Sequence, residues 1–261
     1  DGGGPEEGEH RHLVAKAIAD LFIPLTPPLD THIEFVKRLA ARSVPHVKIF
    51  SLNYDPLIER ASEYAKVRLC DGFTGYEHAY FDASTFEERL FRIRGTHRGR
   101  QSDETSKPLH LLKLHGSLGW YHCDSGGVRR CGFGISIPEN TKRLMIPPQR
   151  RKADDTMTQP YQALWSAFRG ALGQDRNPLH RLACIGYSFA DEHVNTLVES
   201  ALARTDFTVL IFTKYLSDGV WNRWSAKNNV IIVTENRCAI KGEVGAGHSD
   251  LWKCDYIMKR I

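Results

Sequence analysis
After a polar, glycine-rich opening, apolar residues fall at Leu13, Val14, Ala17, Ile18, Leu21 and Phe22, a stripe whose spacing predicts a helix over 11–22. "PLTPP" ends it. A second helix is predicted from Thr31, with Glu34 completing a capping box and Ile33, Val36, Leu39 and Ala40 on its apolar face. The period then changes. "VKIFSL" at 47–52 is a near-continuous apolar run that predicts a buried strand, and Asp55-Pro56 reads as the start of a helix reaching about Val67. "LHLLKLHGS" at 109–117 is the next strand. Tyr161, Leu164, Trp165 and Phe168 mark a helix from about 160 to 172, closed by Gly173. "RLACIGYSF" at 181–189 holds a strand that ends at Gly186, followed by a helix that buries Val194, Leu197, Val198, Ala201 and Leu202. "FTVLIF" and "NVIIVT" are two further strands. Residues 71–109 read as loop, with "RGTHRGRQSDETSKP" a mobile tip, and residues 119 to about 150 as short strands or loop.

Apolar strands separated by helices predict an α/β fold, a parallel sheet with helices on both faces. The expected organisation is a flexible start over 1–12 and one α/β domain over 13–261, with loop-rich insertions near 71–109 and 119–156. The first residue is not Met, and a missing N-terminal segment is expected.

Composition narrows the class rather than the function. An apolar share of 41% and a charged share of 25% suit a soluble domain. The net charge of +4 is spread along the chain, and the basic run "PPQRRK" is followed at once by "ADD", so it reads as a solvated loop. Direct nucleic-acid binding stays open. Six cysteines at 70, 123, 131, 184, 238 and 254 form no C-x-x-C pair, which speaks for thiols in a reducing cytoplasm and against a metal site. No apolar run approaches the roughly 18 residues of a membrane helix, and no signal peptide precedes the first helix. The expected location is cytoplasmic, with no membrane partner.

Three predicted strands end on polar residues: "SLNYD" at 51–55, "KLHGS" at 113–117 and "CIGYSFADEHVN" at 184–195. Loops after the carboxyl ends of parallel strands converge on one crevice, so the three can share a pocket. Each also has a plain structural reading. Asp55 serves as a helix cap, His115 as a core histidine, and Gly186 as a turn with Ser188 capping the next helix and Asp191 three residues on.

Taken together and in this order, "NYD", "LHGS" and "GYSF-x-D-x-x-x-N" resemble the SIR2-like family of bacterial anti-phage NAD hydrolases and, more distantly, the sirtuin deacylases. The resemblance spans roughly 47–200. It implies a Rossmann-like fold with NAD as substrate across the crevice, and Asn53 and His115 as the catalytic pair. It places Asp55 beside the nicotinamide ribose, and Gly186 and Ser188 near the ribose and phosphate. Tyr54, Gly116, Ser117, Tyr187, Asp191 and Asn195 are the remaining cofactor-binding positions. It further implies a homo-oligomer regulated by assembly, with a HerA-type ring ATPase, a short Argonaute or a phage protein as partner.

The chemistry of these residue types agrees. Cleaving nicotinamide from ribose develops an oxocarbenium-like centre while a neutral leaving group departs from a cation. Asn53 can orient water without carrying charge, and an imidazole at 115 can accept a proton near neutral pH. Gly116 permits close backbone approach, and the helix after Ser188 offers amides to phosphate. Two departures stand out. The family's opening strand and "GAG-x-S" loop are absent, since "DGGG" follows no strand and "GFGIS" at 132–136 comes after "HGS". The four-cysteine zinc module of sirtuin deacylases is absent too: residues 119–183 hold only Cys123 and Cys131. Hydrolysis is therefore favoured over deacylation, and a nucleotide-sensing or scaffold role is the non-enzymatic alternative.

Overall fold
The computed structural model describes residues 5–42, 47–87, 90–96, 99–106, 108–123, 127–132, 136–138, 141–146, 158–174 and 178–260. "DGGG" and "PPQRRK" lie outside these, as does most of "GFGIS". Two units divide the chain, Asp1–Trp165 and Ser166–Ile261.

The first unit runs α1 (Pro5–Phe22), α2 (Asp30–Ala40), β1 (Lys48–Ser51), α3 (Leu57–Tyr64), β2 (Leu69–Cys70), β3 (Phe73–Thr74), β4 (His78–Phe81), β5 (Leu90–Thr96), β6 (Gly99–Ser106), β7 (Leu109–Lys113), β8 (Gly116–His122), β9 (Val128–Cys131) and β10 (Lys142–Met145). α4 (Tyr161–Arg169) crosses the division. Parallel strands β1, β7 and β2 form one sheet with β7 in the middle. Every residue of β7 is buried, the polar His110 and Lys113 included. An antiparallel sheet, β10-β8-β9-β4-β3, follows. Its core holds Trp120, whose ring lies 5.0 Å from that of Phe73.

The second unit runs β11 (Arg181–Ile185), α5 (Glu192–Ala201), β12 (Thr208–Phe212), α6 (Asp218–Ser225), β13 (Val230–Val233), β14 (Arg237–Ile240), β15 (Glu243–Ala246) and α7 (Cys254–Met258). β11, β12 and β13 are parallel, joined through α5 and α6, while β14 and β15 extend the sheet antiparallel. Parallel neighbours need such crossover helices, and the apolar faces of α5 (Val194, Val198, Ala201) and α6 (Trp221, Trp224) are buried. The architecture is α/β, as its alternating runs predict.

Several local expectations fail for identifiable reasons. α1 does not bury its large apolar stripe: Leu13, Val14, Leu21 and Phe22 are 44–67% exposed. It buries Ala15 and Ala19 instead, packed with Leu118 and Met145. Alanines weigh little in a hydrophobicity pattern, yet their small side chains permit a close approach. α2 begins at Asp30, so Thr31 lies inside the first turn and forms no capping box; Glu34 pairs with Arg38 at 2.8 Å instead. Gly173 does not close α4 in a left-handed turn, because its φ of 170° is extended and the helix ends through a wider π-type turn, Gly170–Gln174. The stretch expected to be loop-rich here carries a hairpin, with β5 and β6 paired antiparallel from Leu90↔Ser106 to Thr96↔Gly99. A backbone ladder between sequence neighbours needs no apolar alternation, so composition conceals it. Among the described residues no helix is long and apolar enough to cross a membrane.

Candidate functional site
β1 and β7 pair in register, with Ser51 opposite Lys113. Asn53 and His115 each lie two residues beyond that last pair. Neighbouring strands run about 4.8 Å apart, so the two chain segments leave the sheet side by side. Backbone and side-chain bonds continue the pairing past the strand ends. Leu114 N donates to Ser51 O (2.9 Å) and Leu118 N to Tyr54 O (3.0 Å). Ser117 Oγ also donates to Tyr54 O (3.0 Å), and Lys113 Nζ donates to Asp55 O. The turn carrying Asn53 is thereby fastened to the segment carrying His115.

The two candidate catalytic side chains differ in environment. Asn53 is exposed, with its backbone N–H bonded to Ser51 Oγ at 3.1 Å. His115 is buried at 5% exposure, its ring 6.2 Å from that of Trp165. Its carbonyl accepts from Ile146 N (2.9 Å). The Trp165 indole N–H donates to the adjacent Leu114 carbonyl at 3.1 Å, bracing the strand end. Asn53 is thus open to solvent, while the His115 ring is shielded from it.

Gly116 follows with a φ of +83°, where the chain turns from β7 into β8. A Cβ there would collide with the Leu144 carbonyl and stand 2.8 Å from the Tyr161 hydroxyl, so glycine is required on both counts. Asp55 Oδ1 accepts from Leu57 N (3.1 Å), the first residue of α3, but Pro56 occupies the N-cap position, so Asp55 holds that amide from one residue before the cap rather than as the expected N-cap. Tyr54 packs against Ala15, Ala19, Leu118 and Met145, and its hydroxyl donates to Ile146 O at 2.5 Å. Burial pushes this phenol up to about 12. The side chains of Tyr54 and Ser117 thus serve the local scaffold.

In the second unit, Gly186 ends β11 with φ +67° and nothing within 4 Å of where a Cβ would stand. Gly186 and Ser188 are exposed. The other motif residues of this loop hold one another. Tyr187 Oη donates to Asn195 Oδ1 (2.9 Å), Asn195 Nδ2 donates to Phe189 O (2.9 Å), and Phe189 sits at φ +60° with its ring 4.5 Å from that of Tyr187. Burial, with Asp191 adding to it, raises the Tyr187 phenol well above its ordinary range. Asp191, not Ser188, caps α5: its carboxylate accepts from His193 N (3.1 Å) and Val194 N (3.4 Å). A carboxylate is a stronger acceptor at a helix N-terminus than a hydroxyl. It also leaves these two amides spoken for, so they are not available to a phosphate. Gly186 and Ser188 are the members of the loop left open to a ligand.

Sequence patterns did not single out Lys113, Trp165, Tyr161 or His32 as residues of the site. Lys113 carried a readable signal, a charge inside an otherwise apolar strand. His32 on α2 sits within the electrostatic reach of Asp55; burial lowers its pKa and the carboxylate opposes that shift. The other two act through contacts distant in sequence, which no local pattern records. A cavity of about 590 Å³ lined by Phe81, Asp82, His122, Leu144 and Gln159, among others, includes none of the motif residues, so the chemistry of the strand ends outweighs volume as a guide. Among the described residues no group of three His, Cys, Asp or Glu is placed to hold a metal ion.

A family model described as a SIR2-like domain matches residues 47–232, more than half of the chain. Among curated proteins none matches it.

Proposed function
The chain belongs to the SIR2-like domain family, and from that premise we propose that it hydrolyses NAD+ to nicotinamide and ADP-ribose. What supports this reading most is that the segments carrying Asn53 and His115 leave adjacent parallel strands just beyond the paired Ser51 and Lys113. In the reaction, the bond between nicotinamide and the anomeric carbon lengthens, positive charge moves onto the ribose, and nicotinamide leaves neutral. The Asn53 carboxamide orients a water against that carbon. His115 accepts the proton the water loses, and its burial keeps competing water away. Asp55, whose carboxylate already holds the Leu57 amide, is proposed beside the ribose, and Gly186 and Ser188 beside the ribose and phosphate.

The biological role that goes with this activity is NAD depletion in a bacterial anti-phage response. An unrestrained NAD hydrolase is toxic to its host, so assembly is the proposed control, with further copies of the chain, a ring ATPase of the HerA type, a short Argonaute or a phage protein. This part rests on family resemblance.

The test is direct. Purified protein incubated with NAD+ releases nicotinamide without any acylated peptide. Asn53→Ala and His115→Ala each abolish release while cooperative thermal unfolding is retained. Release that requires an acyl-peptide would indicate deacylation, binding without turnover a sensor, and undiminished hydrolysis by the double variant a different site.

A further inference from the structure
Lys113 is the charged residue of the fully buried strand β7, and no step above uses it. It is 2% exposed. Its ammonium donates to the Asp55 backbone carbonyl and pairs with Glu59 Oε1 at 3.3 Å, a carboxylate on α3. Burial raises the Glu59 carboxyl above its usual range, and the ammonium opposes that. Burying two charges is expensive, and apolar residues of similar volume are often neutral or stabilising in such places. Fold stability alone therefore gives a weak reason for this lysine.

We propose that Lys113 is a positioning residue for the reaction at Asn53: its ammonium clamps the far end of the Asn53–Asp55 turn and so sets where the Asn53 carboxamide stands relative to His115. The inference rests on the NAD-hydrolysing reading of this site. The geometry is specific. Tyr54 O is held by Ser117 Oγ and Leu118 N, each at 3.0 Å, and Ser51 O by Leu114 N at 2.9 Å. Asp55 O completes the set, so carbonyls on both sides of Asn53 are bound to residues 113–118. Releasing Asp55 O leaves the turn held at Ser51 O and Tyr54 O but free at its far end, where it runs on into α3. A charge-assisted bond on a long side chain is the strongest donor that can reach this carbonyl from the interior of β7.

The decisive variant is Lys113→Met with Glu59→Leu, which removes the clamp without stranding a charge. Cooperative unfolding is expected to persist. Amide hydrogen exchange across 52–57 should accelerate, and kcat for NAD+ cleavage should fall about 10- to 100-fold, the scale of an ångström-sized misplacement, with KM changed less than about threefold. A folded double variant with parental kcat and parental exchange overturns the proposal, because a merely structural ion pair predicts that result. If the double variant does not fold, Lys113→Arg decides by the same two readouts: it keeps the charge opposite Glu59 but displaces the donor. Parent protein that releases no nicotinamide would refute the hydrolase reading instead, and the exchange comparison would still judge the clamp.

Discussion
Tyr54 stands between the two residues with the clearest chemistry in the "NYD" turn, and its own side chain works for the scaffold. Its hydroxyl reaches Ile146 O at 2.5 Å, and burial holds the phenol protonated up to about 12. In the unfolded chain a tyrosine ionises near pH 10. Between those values the folded protein keeps a proton that the unfolded chain has lost. The stabilisation is therefore complete below about pH 10 and drains away as pH rises toward 12. Tyr54→Phe should cost roughly 1 kcal/mol at pH 8, since it strands a carbonyl acceptor. The gap between parent and variant should narrow in urea unfolding at pH 10.5. A gap that stays constant would mean the phenol is not sealed in the fold. Asn53, Tyr54 and Asp55 were legible as a motif because their positions are fixed by one strand end. The sequence did not reveal which of them faces solvent, because that depends on α1 and on Ile146, far away along the chain.

At the level of elements, β1, β7, β11, β12 and β13 follow the apolar runs closely; β7 is buried throughout, while β12 and β13 alternate buried with half-buried residues. Helix ends were less legible. Both Ser188 and Asp191 are good caps in isolation, and only the packed loop decides between them. Here Phe189 at φ +60° and the Tyr187–Asn195 bond carry the chain past Ser188 and deliver Asp191 to the start of α5. Asp191→Ala should therefore cost about 1–2 kcal/mol in denaturant unfolding, and Ser188→Ala less than about 0.5. Equal costs would contradict the cap assignment. The same comparison bears on ligand binding, because Ser188 is exposed while the Asp191 carboxylate is committed to backbone amides. Nicotinamide release by Ser188→Ala thus reads a ligand contact with little interference from stability.

Across the whole molecule, two populations of carboxylates pull the pH dependence of stability in opposite directions. Glu59 and Asp71 are raised by burial, with Lys113 and Arg130 opposing. Protonated, they no longer carry a buried charge, so their contribution is fully present below the ordinary carboxylate range and is lost as pH rises from there through their raised folded values. Asp206 and Asp250, held by Arg204 and Lys253, are lowered. Their contribution is present above the ordinary range and is lost as pH falls. The second pair is half or nearly half exposed, at 51% and 42%, and faces the solvent ions, whereas Lys113 beside Glu59 is 2% exposed. Salt therefore screens the surface pairs and spares the buried ones, because the Debye length shrinks to about 3 Å at 1 M. Raising salt from 0.05 to about 1 M should move the pH of maximum stability toward acid, as followed by thermal unfolding between pH 4 and 8. A maximum that stays in place, or moves toward alkaline pH, would mean that the buried carboxylates do not set the alkaline side of the profile. Glu59→Gln removes one of them and should shrink the shift while leaving the screening of Asp206 and Asp250 untouched.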